Sequence, residues 1–125
     1  MTLIKGMVSP DREGVIDISI TGPTGIESTV TICVDTGFTD YLTLPIGLVQ
    51  NLNLSYKQTY TGTLADGSHI PLDVYIADVD WGGRKRTVPV YATNGTPLLG
   101  MSMLYGCELK ISVVDGGDLQ IRVLP

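Results

Sequence analysis

Strict alternation of apolar and polar residues is the feature that most limits what this chain can become. It appears in Ile16-Asp17-Ile18-Ser19-Ile20 and again in Val30-Thr31-Ile32-Cys33-Val34. Side chains on a strand point to opposite faces in turn, so this period of two describes strands with one face buried. The same pattern runs through Ile70, Leu72, Val74 and Ile76, through Val88 and Val90, through Leu109, Ile111 and Val113, and through Leu119, Ile121 and Val123. Turn-forming residues separate the runs: Gly22-Pro23-Thr24-Gly25, Ala65-Asp66-Gly67-Ser68, Trp81-Gly82-Gly83, Asn94-Gly95-Thr96-Pro97 and Asp115-Gly116-Gly117-Asp118. Strands joined by such short connections are expected to pair as antiparallel hairpins.

Helical signal is scarce. Pro45 suits a first helical turn, and Ile46, Val49 and Leu52 follow on one side, so a short helix is predicted from Pro45 to Leu52. A second is predicted over Met101–Leu104. At 125 residues and 43% apolar content, the chain can bury one core, and residues 1–125 read as a single all-β domain, a compact barrel or sandwich. A net charge of −5 argues against a general polyanion binder, so no nucleic acid is expected as partner. The opening Met1-Thr2-Leu3-Ile4-Lys5-Gly6 lacks the basic and apolar regions of a secretory signal, and no apolar run would span a bilayer, so a cytoplasmic location without membrane association is expected. Cys33 and Cys107 lie far apart in apolar stretches and are expected to be buried free thiols.

One carboxylate is unusually placed. Asp35 follows the apolar run 30–34 directly and is followed by Thr36 and Gly37, so a buried strand delivers an acid into a tight turn. A carboxylate among apolar groups must find hydrogen bonds, which the Thr36 hydroxyl and a close backbone at Gly37 could provide. Taken alone, Asp-Thr-Gly is also an ordinary turn. The longer stretch Cys33-Val34-Asp35-Thr36-Gly37-Phe38-Thr39-Asp40-Tyr41-Leu42-Thr43-Leu44-Pro45, however, resembles the active-site loop of aspartic proteases. Pro97-Leu98-Leu99-Gly100-Met101-Ser102-Met103-Leu104 resembles the second signature of that family, two apolar residues and a glycine before a short helix. Between them lies a hairpin candidate around Asp66-Gly67, where the family keeps its flap. The resemblance extends from about Ile16 to about Leu109 and is to the retropepsin-like group, in particular its small prokaryotic members.

The resemblance implies a closed β-barrel with one or two short helices, active as a homodimer, because the chain carries a single Asp-Thr-Gly. It implies an endopeptidase in which Asp35 and its symmetry mate activate water to hydrolyse a peptide bond, with Thr36 bonded across the axis. Gly37, Thr39, Asp40 and the turn Ala65-Asp66-Gly67-Ser68 would contact a peptide or protein substrate, and Leu99 and Gly100 would support the loop. No cofactor and no metal are implied. The sequence departs from the viral pattern in that Met101 stands where an arginine usually follows the glycine, and Thr39 where its acidic partner stands. The competing reading keeps the fold and drops the chemistry, giving a dimeric peptide-binding or scaffolding module. His69, the sole histidine, reads as a surface residue near the hairpin tip, and Asp73, Asp78 and Asp80 as a solvated strand face. Arg84-Lys85-Arg86 reads as a solubilising hairpin end, with docking of an acidic segment as the alternative, and Trp81 as either a core lid or an exposed contact residue. The run from Cys107 to Leu124 reads as an exposed hairpin that would build an intersubunit sheet.

Overall fold

The computed structural model describes residues 3–125, which are mostly strand with two short helices. In chain order they are β1 (Leu3–Val8), β2 (Gly14–Thr21), β3 (Glu27–Val34), β4 (Leu42–Pro45), α1 (Ile46–Asn51), β5 (Ser55–Thr63), β6 (His69–Trp81), β7 (Arg84–Thr93), β8 (Leu98–Leu99), α2 (Met101–Leu104), β9 (Cys107–Ile111) and β10 (Asp118–Val123). The alternating runs are strands, and their apolar members form the core: Ile16, Ile18 and Ile20 from β2, Ile32 from β3, Val88 and Val90 from β7, Leu119 and Ile121 from β10. Ile70 and Val123, at the ends of their strands, stay exposed, and Val113 departs furthest from the pattern. It lies beyond β9 and is 74% exposed, because the chain turns at Ser112, whose carbonyl receives the Val114 N–H.

All strands belong to one sheet, ordered β5-β6-β7-β4-β8-β3-β2-β1-β10-β9, and an additional β2–β6 pairing brings the ladder back on itself. Hairpins account for β2–β3, β5–β6, β6–β7 and β9–β10. Two pairings are parallel instead, β3 with β8 and β4 with β7, and they join segments far apart in sequence. Strand β6 serves two environments. Val74 is buried on one face, then the phase changes so that Ala77, Val79 and Trp81 are buried, where β6 leaves β5 and meets Ile20 and Thr21 of β2. Trp81 is thus a core residue, 4% exposed.

The C-terminal hairpin differs from expectation. β10 is not exposed; it lies between β1 and β9, and Leu119 and Ile121 are fully buried against the core. β1 escapes sequence reading because Lys5 and Gly6 interrupt its apolar pattern, yet its backbone satisfies the β10 edge. Among the described residues the outer edge of β9 stays open, together with that of β5 at the other end of the sheet. No helix among the described residues is long and apolar enough to cross a membrane.

Candidate active site

The site is built where the parallel β3–β8 pairing ends. Register places Cys33 beside Leu98 and Val34 beside Leu99, and the ladder continues one bond further, with the Asp35 N–H donating to the Leu99 carbonyl at 2.9 Å. Asp35 is therefore fixed by its backbone before its side chain makes any contact. Its carboxylate is half-buried, and Oδ1 accepts the Gly37 N–H at 2.9 Å. The Phe38 N–H closes the turn on the Asp35 carbonyl at 3.2 Å. Thr36 and Gly37 are exposed, so one face of the loop is open to whatever approaches it.

A second layer holds this loop from behind. Leu99 is fully buried, and Gly100 touches the loop so closely that a Cβ there would lie 2.3 Å from the Asp40 carbonyl oxygen and 2.6 Å from that of Phe38. Only glycine allows this approach. It lets the Gly100 N–H reach the Tyr41 carbonyl (2.9 Å) and the Met101 N–H the Phe38 carbonyl (2.7 Å), while the Ser102 N–H and hydroxyl both serve the Thr39 carbonyl. Gly100, Met101 and Ser102, at the start of α2, thus bind the four carbonyls of Phe38, Thr39, Asp40 and Tyr41, the Ser102 N–H being shared between Thr39 and Asp40. With Met101 46% exposed, Ser102 makes the tie on the Thr39 side.

Asp35, Thr36, Gly37, Thr39, Asp40, Leu99 and Gly100 therefore meet in one knot. Ala65, Asp66, Gly67 and Ser68 do not join it directly: they form the exposed tip of the β5–β6 hairpin, and their hydrogen bonds are internal. The Asp66 carboxylate accepts the Ser68 N–H (2.8 Å) and hydroxyl (2.6 Å), which hold it below its ordinary range, and Gly67 takes φ +86° to close the turn. His69 is exposed beside Thr63, as the sequence implied, and Asp73, Asp78 and Asp80 each accept a hydrogen bond from Thr59, Thr87 and Gly83 respectively.

Sequence reasoning missed an aromatic bridge. Tyr91 on β7 packs on Phe38 of the aspartate loop (ring centroids 6.3 Å apart) and, edge to face, on Tyr60 of β5 (6.2 Å). Strand β5 pairs with β6 alone, so the Tyr60–Tyr91 contact links this edge strand to the floor beneath it. Burial, then the hydrogen bond and charge of Asp40, push the Tyr91 phenol up to about 12. The available signal was Tyr91 following the core residue Val90, on the opposite face of its strand; that face is covered as well, by Tyr60 and Phe38.

Arg86 is not a solubilising residue: its guanidinium donates to the Met103 carbonyl at the end of α2 (3.0 Å) and lies 5.9 Å from the Tyr41 ring centroid. The two cysteines are free but only half-buried. The Cys33 thiol is pushed up to about 11, first by burial and then by the Glu13 carboxylate.

The site is thus a strand-borne aspartate in a glycine turn, clamped by a second apolar-apolar-glycine loop, in a chain with a long β-hairpin. Comparison with solved structures identifies the fold. The chain is similar to EIAV protease in an inhibitor complex, with a TM-score of 0.56 and 16% identity over 76% of this chain and 88% of that one. It is also similar to a retropepsin-like aspartic protease from Rickettsia conorii, with a TM-score of 0.55 and 19% identity over 95% of this chain and 89% of that one. The chain has the retropepsin-like fold. No family model matches the sequence, and no curated protein is similar to it in sequence.

Proposed function

We propose that this protein is an aspartic endopeptidase that works as a homodimer, with Asp35 of each copy forming a dyad across the twofold axis. The observation that carries the reading is the double fixation of Asp35, by Leu99 through its backbone and by Gly37 through Oδ1, on a loop whose front is exposed. A turn with no chemical task does not require an acid at the end of a core strand.

One copy supplies one such carboxylate, so the chemistry needs a second. Two facing carboxylates cannot both ionise cheaply and share one proton. The ionised member takes a proton from a water held between them while the protonated member polarises the scissile carbonyl. Water oxygen bonds to the carbonyl carbon to give a tetrahedral diol; its collapse breaks the C–N bond, the amine leaves with a proton, and no covalent enzyme intermediate forms. The Gly37 N–H is occupied by Asp35, which leaves its carbonyl to meet a substrate main chain. The exposed Thr36 hydroxyl would bond across the axis, and the β5–β6 hairpin would close over the peptide as a flap, with Ala65, Asp66, Gly67 and Ser68 above it and Thr39 and Asp40 beside it.

The ring of paired strands reads as a closed barrel that keeps the loop rigid. Two surfaces support dimerisation. A depression of about 350 Å³ beside Thr36 is lined by Leu104, Tyr105, Cys107 and Leu109 among others, and the adjoining outer edge of β9 has no strand beside it among the described residues. Pairing β9 with its symmetry mate would extend the sheet through the dimer and cover an edge that otherwise invites aggregation.

The test compares wild type with Asp35→Asn on an unfolded protein pool at acid pH. Wild type is expected to cleave and to be blocked by a statine-type transition-state mimic, with Asp35→Asn folded but inactive. Activity surviving in Asp35→Asn, or cleavage by a strict monomer in sedimentation, rejects the dyad; a folded dimer that binds peptide and never cleaves supports the scaffolding alternative.

A further inference from the structure

We infer that the groove beside the β6–β7 turn binds an acidic, partly apolar segment of the substrate polypeptide, outside the stretch held over Asp35. The inference rests on the endopeptidase reading and adds a substrate class to it. The chain carries 13 acidic against 8 basic residues, yet three of the basic ones, Arg84, Lys85 and Arg86, line a single groove of about 740 Å³ that no acidic side chain lines among the described residues. Alternation along β7 separates them. Lys85 turns toward Asp78 at 3.9 Å, while Arg84 and Arg86 share the other face.

Arg86 is held in place by Met103 and Tyr41 and keeps further N–H donors to offer, since one guanidinium carries five. Arg84 has no carboxylate within ion-pair distance among the described residues. The opposite wall is apolar: in a single copy Leu124 is 43% exposed and Val123 37%, and Tyr105, 89% exposed, stands where the groove meets the depression assigned above to the dimer. A fixed guanidinium, a free one and an exposed ring facing them suit a segment that alternates carboxylates with apolar side chains. Elsewhere the net charge of −5 repels such a segment, so the groove is where it would gather.

Position favours the substrate as the source. Arg86 and Tyr105 also line the adjoining depression formed with Thr39, Tyr41, Met101 and Ser102. The two depressions share Arg86 and Tyr105, so a peptide leaving the loop at Thr39 would be led toward Arg84.

Trp81 lines the groove and is the only tryptophan, so its emission reports occupancy. Asp35→Asn protein, which cannot consume the probe, is titrated with a peptide of alternating Glu and Leu and with its Lys-for-Glu counterpart. A saturable change with the first only, weakened by salt and lowered roughly tenfold or more in affinity by adding Arg84→Glu, is expected. In the active protein, an acidic extension on a cleavable peptide should lower KM and leave kcat unchanged. Arg84→Glu should abolish that gain while cutting the unextended peptide normally. An unchanged Trp81 signal, or an affinity indifferent to Arg84→Glu, overturns the inference. Dissociation of the dimer by Arg84→Glu overturns it too, assigning the groove to a second copy. Probe binding by wild type with no cleavage of any peptide would instead overturn the endopeptidase reading and, with it, the substrate as occupant.

Discussion

Gly100→Ala tests whether the second loop holds the aspartate loop by contact. The new Cβ would lie 2.3 Å from the Asp40 carbonyl oxygen, 2.6 Å from that of Phe38 and 2.6 Å from Phe38 Cδ2. Two of these atoms are backbone and cannot rotate away, so reaching ordinary van der Waals contact moves the loops apart by about 1 Å. Backbone strain at residue 100 is not the issue, since its φ of −104° suits alanine. Overpacking of this kind costs about 1–3 kcal/mol, and stretching the bonds from the 100 and 101 amides adds roughly 1 kcal/mol. For a domain of this size the sum lowers Tm by roughly 6–20 °C. Because the aspartate loop itself is displaced, peptide cleavage should fall by about two orders of magnitude beyond any loss of folded protein. Calorimetry and cleavage rates at a temperature where the variant is folded measure both effects. Gly47→Ala is the matched control: its Cβ meets nothing within 4 Å, and it lies inside α1, where alanine should add about 0.5–1 kcal/mol. A Gly100→Ala protein with the Tm and activity of wild type would refute the clamp.

The remaining predictions concern groups whose protonation the fold alters. Tyr91 is raised to about 12, so its proton stays on in the folded protein while the unfolded chain loses it near 10; stability from this group is complete below about pH 10 and disappears as pH rises to about 12. Tyr91→Phe should flatten that part of the curve of urea midpoint against pH, and an unchanged slope would contradict the effect of burial and of Asp40 on the Tyr91 phenol. Cys33, raised to about 11, should alkylate slowly at neutral pH in a Cys107→Ser background, because thiolate is the reactive form. Removing the neighbouring charge with Glu13→Gln should speed that reaction; no acceleration would discount Glu13 as a cause.

The hairpins and their core faces were legible in the sequence because strand alternation and turn chemistry are local. Asp35 was legible as a candidate for the same reason: an apolar run ending in Asp-Thr-Gly is written in adjacent residues. The two short helices also follow from neighbouring side chains. β1 and β5 were not legible as strands, since one is broken by Lys5 and Gly6 and the other is an edge strand with most of its side chains exposed.

What only the tertiary structure decided are the contacts between segments distant along the chain. The parallel register of Val34 with Leu99, the pairing of β1 with β10, the bridge from Phe38 through Tyr91 to Tyr60, and the seating of Arg86 on Met103 all depend on how the sheet closes. Alternation tells which face of a strand is buried, but it carries no information about which other strand lies beside it. That choice is made by packing the whole core at once, so the chain could announce its aspartate in sequence while the groups that hold it appear only in three dimensions.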